Sequence, residues 1–85
     1  MIYFVLHRST NSVYIGKSNS ARRIKWYLKE YNRHPDNEFI MMGSFEGTNR
    51  DLQSIYDSFK DLHDRGKWYK MDDLLEGTIA SLTNH

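Results

Sequence analysis

The chain has 85 residues, of which 39% are hydrophobic, 27% charged and 14% aromatic, and it contains no cysteine. Such a chain is one domain, too aromatic for a disordered tail and too short to bury more than about 60 to 65 per cent of its unfolded surface, and neither a disulfide framework nor a thiolate zinc site is open to it. The formal net charge of +1 conceals a segregation: residues 1–34 carry seven cations against Glu30 alone, whereas residues 35–85 carry five cations against ten carboxylates.

Ile2-Tyr3-Phe4-Val5-Leu6 and Ser12-Val13-Tyr14-Ile15-Gly16 are β-rich runs separated by the turn formers Arg8-Ser9-Thr10-Asn11, which predicts an antiparallel hairpin. Lys17-Ser18-Asn19-Ser20 then offers capping side chains. From Ala21, Ile24, Tyr27, Leu28 and Tyr31 recur at i, i+3, i+4 and i+7, so a helix is expected with those four facing the core, ending before Pro35. Asn32 to Asn37 reads as a polar loop. Glu38 to Phe45 reads as a third strand, buried on both faces along its first half.

Gly47-Thr48-Asn49 is placed to cap a second helix with the stripe Leu52, Ile55, Phe59 and Leu62, ended by Gly66 with Arg65 in its last turn. Lys67-Trp68-Tyr69-Lys70 is a short extended piece. Asp72 or Asp73 caps a final helix carrying Leu74, Leu75, Ile79 and Leu82. The order ββαβα, a short extended segment and α predicts a single α/β (α+β) domain over residues 1–85, a small three-stranded antiparallel sheet flanked by helices. No apolar run is long enough for a bilayer, and Met1 opens on a strand pattern without a basic leader, so the expected compartment is the cytoplasm with no membrane partner.

The charge segregation points to one face for a polyanion and another for water or a basic protein, the plainer alternative being that the two halves attract one another. On the first helix Arg22, Trp26, Lys29 and Arg33 fall at i, i+4, i+7 and i+11, with Lys25 beside them, on the side away from the apolar stripe. Cations there pair with phosphates, and an indole among them stacks a base, which makes RNA or DNA the expected partner, the plainer alternative being that Trp26 packs under the third strand or the tail of the chain. Tyr3, Tyr14 and Arg23 form a second group, in which phenols can position water and a guanidinium can hold a phosphate, although by themselves the two tyrosines read first as amphipathic sheet residues. His7, His34, His63 and His85 have no metal-ligand spacing and read as surface or loop residues. Asp57, Asp61 and Asp64 read as an acidic stripe on the second helix, either a solvated face or a surface for a basic protein.

Ile2-Tyr3, ten residues, Tyr14-Ile15-Gly16-Lys17-Ser18 and then Arg23-Ile24 at a helix start resemble the motif of the GIY-YIG endonuclease superfamily, with Met1 where that motif has its first glycine. Phe59 followed by Arg65-Gly66-Lys67-Trp68-Tyr69 resembles a signature of the phage T5 orf172-like branch, and the two matches span Ile2 to about Leu75. The resemblance implies that Tyr3, Tyr14 and Arg23 line an active-site-like cleft with Gly16 and Lys17 at its edge. It further implies a metal-binding glutamate on the second helix, and that position is held by Leu52, which has no ligand oxygen. Asp51 is turned about 100° away, Gln53 is a poor ligand and Glu46 precedes the helix.

The expectation is therefore a degenerate, GIY-YIG-like module with no cofactor that binds RNA or DNA through Lys17, Arg22, Arg23, Lys25, Trp26, Lys29 and Arg33. The phage-rich branch implies a counter-defence role, occupying the nucleic acid or the basic channel of a host nuclease or toxin. Two alternatives stand beside it: an active, magnesium-dependent structure-selective endonuclease with a displaced carboxylate, and a protein-interaction module working through Asp57, Asp61 and Asp64. The oligomeric state is monomer or homodimer, the third strand at a sheet edge being the natural seam.

Overall fold

The computed structural model describes residues 1–33 and 38–83. The first hairpin forms as the residue types dictate: β1 (Ile2–His7) and β2 (Ser12–Lys17) pair antiparallel with Val5 opposite Tyr14 and Tyr3 opposite Gly16. Asn11 takes the positive φ of 52° that the turn requires, a conformation asparagine tolerates better than most residues. Helix α1 (Ala21–Tyr31) starts at Ser20, whose hydroxyl accepts the Arg23 amide hydrogen bond. Then come β3 (Phe39–Phe45), α2 (Asn49–Ser58), a 3₁₀ turn (Lys60–Leu62), β4 (His63–Arg65), β5 (Trp68–Lys70) and α3 (Asp73–Thr83).

The result is an α+β domain with three helices and an antiparallel sheet, but the sheet has five strands in the order β3-β1-β2-β5-β4, not three. β5 falls in the segment expected to be extended but joins the sheet, and β4, three residues where helix was expected, is too short for alternation to announce it. Gly66, expected just past a helix, instead turns this second hairpin with φ at 55°, where a side chain would be strained. Helix α2 stops at Ser58, well before Asp61 and Asp64. Its start is a capping box in which Thr48 accepts from the Asp51 amide and the Asp51 carboxylate accepts from the Thr48 amide.

The pleat sorts the side chains into two faces. Ile2, Phe4, Val13, Ile15 and Tyr69 share one face, and α2 and α3 cover it with Ile55, Phe59, Leu75 and Ile79 to make the core. Asp72 caps α3 by accepting from the Leu75 amide, and Leu74, expected in the core, is 71% exposed because it lies one residue off the buried stripe. β3 is not buried on both faces, since as an edge strand it leaves Ile40 39% exposed. The opposite face carries Tyr3, Val5, Tyr14, Phe39 and Trp68, and there α1 contributes the buried Ile24 and the half-buried Leu28. Among the described residues no helix is long and apolar enough to cross a membrane.

Tyr56 ties α2 to the sheet by donating from its hydroxyl to the Ile15 carbonyl oxygen at 2.6 Å, with its ring stacked 5.6 Å from that of Tyr69. Tyr56→Phe leaves that carbonyl without this partner and is expected to cost about 1–3 kcal/mol in urea denaturation. Burial pushes the Tyr56 hydroxyl up to about 12 and raises Tyr69 in the same direction, so both remain protonated in the folded state where the unfolded chain already ionises. The stability they supply is complete below pH 10 and is lost as the pH climbs from there toward 12, and thermal melts across that range are expected to fall steadily.

Candidate functional site

A single helix of 11 residues cannot roof the second sheet face, and the space left beside α1 is a cleft of about 530 Å³. Its floor is Tyr3, Val5 and Tyr14 from the first hairpin. Tyr27, Leu28 and Tyr31 of α1 form one wall, while Phe39 and Trp68 close the far end. The aromatic rings run on from one another. Tyr3 stacks on Tyr14 at 5.9 Å, Tyr14 meets the edge of Trp68 at 5.3 Å, and Trp68 lies 6.1 Å from Phe39. Phe39 is 5.3 Å from Tyr31, Tyr31 6.3 Å from Tyr27, and Tyr27 meets Trp26 at 5.3 Å. Aromatic side chains suit a half-covered face because they bury area while leaving a polar edge to water.

Gly16 sets the floor. It stands opposite Tyr3, and a Cβ there would sit 2.6 Å from Tyr14 Cε1 and 3.0 Å from Tyr3 Cζ and its hydroxyl oxygen, so only hydrogen at this position lets the two rings lie across the strand. Burial raises the Tyr3 hydroxyl well above the usual phenol value, and the neighbouring Tyr14 pushes it the same way.

Lys17 and Arg23 are the charged residues lining the mouth of the cleft, and no carboxylate lines it among the described residues. With Ser18 they also open a second, more polar groove of about 800 Å³, continued by Ser20, Asn49, Leu52 and Lys67. Lys17 Nζ donates to Asn49 Oδ1 at 3.0 Å, which steadies one cation at the junction. Leu52 lines this groove while also packing on the core, and no carboxylate lines the groove among the described residues. Asp51 spends its carboxylate on the α2 cap, and no three described His, Asp or Glu side chains converge as a metal site.

Tyr3, Tyr14, Gly16, Lys17 and Arg23 are thus gathered around one opening. Arg22, Lys25, Trp26 and Lys29 are exposed on α1, with Trp26 57% accessible on the outer side. Arg33 does not extend that stripe, because the helix ends at Tyr31 and Asn32 is its C-cap; Arg33 pairs instead with Glu30 at 3.1 Å. Tyr27 and Tyr31 are not core residues either. At 38% and 54% exposure they lie with Arg23 at i, i+4 and i+8 on the flank that faces the cleft.

The acidic stripe does not exist as one helix face, since Asp57 is on α2, Asp61 in the 3₁₀ turn and Asp64 on β4. Of the expected cationic segment only Arg8, with Glu38, makes a side-chain ion pair to the acidic half among the described residues. His7 is a strand residue rather than a loop one, its ring 4.4 Å from Phe39 and its Nε2 buried with no hydrogen-bond partner. His63 contacts the Gly66 carbonyl at 2.9 Å, and His34 and His85 lie outside the described residues.

Phe39, Trp68, Tyr27 and Tyr31 as cleft residues escaped sequence reasoning. The alternation of Trp68 with the buried Tyr69 was the available signal, but which face each took depended on the unseen β2–β5 register. Asn32 is a further one: its side chain accepts from the Phe39 amide at 2.8 Å and donates to the Phe39 carbonyl at 3.0 Å, pinning the end of α1 to the start of β3.

No protein-family model matches the chain, and neither a curated protein nor a solved structure matches it.

Proposed function

We propose that this protein binds nucleic acid, as a degenerate GIY-YIG-like module that holds strands without cutting them. The observation that carries this reading is a continuous ring-lined cleft whose mouth, among the described residues, is lined by Lys17 and Arg23 and no carboxylate, beside a helix whose outer face bears Arg22, Lys25, Trp26 and Lys29. Rings supply stacking that tolerates every base, and the cations supply phosphate contacts. Leu52 in the adjoining groove supplies no metal ligand, which favours positioning of a phosphate over its hydrolysis.

The test is polynucleotide binding by nucleic-acid-stripped protein over a salt series, with single-stranded RNA, single-stranded DNA and duplex compared and magnesium or manganese in parallel. Binding that weakens steeply with salt and leaves the substrate intact is expected. Cleavage abolished by Arg23→Ala would replace this reading with the endonuclease. An absence of affinity near physiological salt would replace it with a protein-interaction module, whose working surface must then be sought outside a single acidic helix face.

A further inference from the structure

Resting on the nucleic-acid reading, we propose that the cleft beside α1 is a seat for one unstacked nucleotide, its base laid against the ring cluster of Tyr31, Phe39 and Trp68 and its phosphate held at the mouth by Arg23 and Lys17. The cleft is polarised to suit that ligand. Arg23, Tyr27 and Tyr31 follow one another along a single flank of α1, so the aromatic end stands two helical turns, about 12 Å, from the cationic end. At the far end Phe39 and Trp68 are held 6.1 Å apart, with Tyr31 5.3 Å from Phe39, and the Asn32 side chain clamps the Phe39 backbone so that this end is built and not incidental.

The volume of about 530 Å³ falls within the range of small-ligand sites, roughly 300–1,000 Å³. A base inside a duplex has both faces covered by its neighbours. Only a single-stranded, terminal or extruded base can present a face to these rings. The groove beyond Lys17 and Arg23, with Lys67 and Asn49, then receives the continuing phosphate chain when the nucleotide belongs to a strand.

The quenching experiment uses the full chain carrying Trp26→Phe, in which Trp68 is the remaining indole, titrated with adenosine 5′-monophosphate, adenosine and ribose 5-phosphate, and strand binding is measured on the unaltered full chain. Saturable quenching of Trp68 by the monophosphate is expected, with adenosine about tenfold weaker and ribose 5-phosphate without effect. Tyr31→Ala, an exposed position, is expected to weaken the monophosphate about tenfold, and Arg23→Gln to abolish its advantage over adenosine. A 12-mer single strand bearing one 2-aminopurine is expected to lose that probe's emission on binding and to recover it on addition of the monophosphate. The blunt duplex of the same sequence is expected to show no such loss.

If millimolar monophosphate neither quenches Trp68 nor displaces the probe while the strand still binds, the seat is wrong and the nucleic-acid reading stands. If ribose 5-phosphate matches the monophosphate, no base is read and the seat is equally wrong. If neither strand nor monophosphate binds, both readings fall.

Discussion

Reversing Arg22, Lys25 and Lys29 to glutamate is expected to lower single-strand affinity on the order of a hundredfold near physiological salt and to reduce the salt slope by about 2, since each lost phosphate contact removes about 0.7 from it. All three are exposed on α1 and none is in an ion pair among the described residues, so their charge is free to act on a polyanion. The fold should not notice the change, because exposed substitutions of this kind usually move stability by less than about 0.5 kcal/mol. Arg33→Glu is the control. Its guanidinium is committed to Glu30 beyond the end of the helix, and a loss below about threefold is expected. Fluorescence anisotropy at three salt concentrations reads both quantities, and an unchanged affinity and slope in the triple variant would refute binding through this face.

Gly16→Ala is expected to disturb the fold and the cleft together. The added Cβ would lie 2.6 Å from Tyr14 Cε1 and 3.0 Å from Tyr3, so both rings must move and the cleft floor with them. Overpacking of this kind costs about 1–3 kcal/mol, which in a domain of this size lowers the melting temperature by about 5 to 20 °C. Near-UV circular dichroism should change with it, because the Tyr3–Tyr14 stack and the contact with Trp68 are broken together. Strand affinity is expected to drop at least tenfold. Gly77→Ala provides the contrast: its Cβ meets nothing within 4 Å, it lies inside α3, and alanine there should stabilise by about 0.5–1 kcal/mol. A Gly16→Ala protein with wild-type melting and binding would show that the ring stack does not shape the site.

The first hairpin, the starts of all three helices and the apolar stripe of α2 were legible because each is a local matter. Turn formers between two β-rich runs, a serine or threonine before a periodic segment, and Asp72 before Leu75 act within four residues of themselves. Tyr3, Tyr14 and Arg23 were also legible as a group, since the hairpin sets the two tyrosines on adjacent strands and Arg23 opens the helix that follows. The acidic stripe failed for an instructive reason: Asp57, Asp61 and Asp64 have helical spacing, but Phe59 is buried and leads into a 3₁₀ turn, so the periodicity outlived the helix.

Local chemistry thus determines the first hairpin, the helix starts and where the charge lies, since those depend on neighbours in the chain, whereas His63–Arg65 becomes a strand only by pairing with β5. Two features that decide the site depend on neighbours in space. Pairing of β5 with β2 carries Trp68 to the side opposite Tyr69, and a one-residue change of register would exchange them. Placement of α2 and α3 on the same sheet face leaves the other to α1 alone, and that unequal covering turns Tyr27 and Tyr31 from core residues into the wall of a cleft.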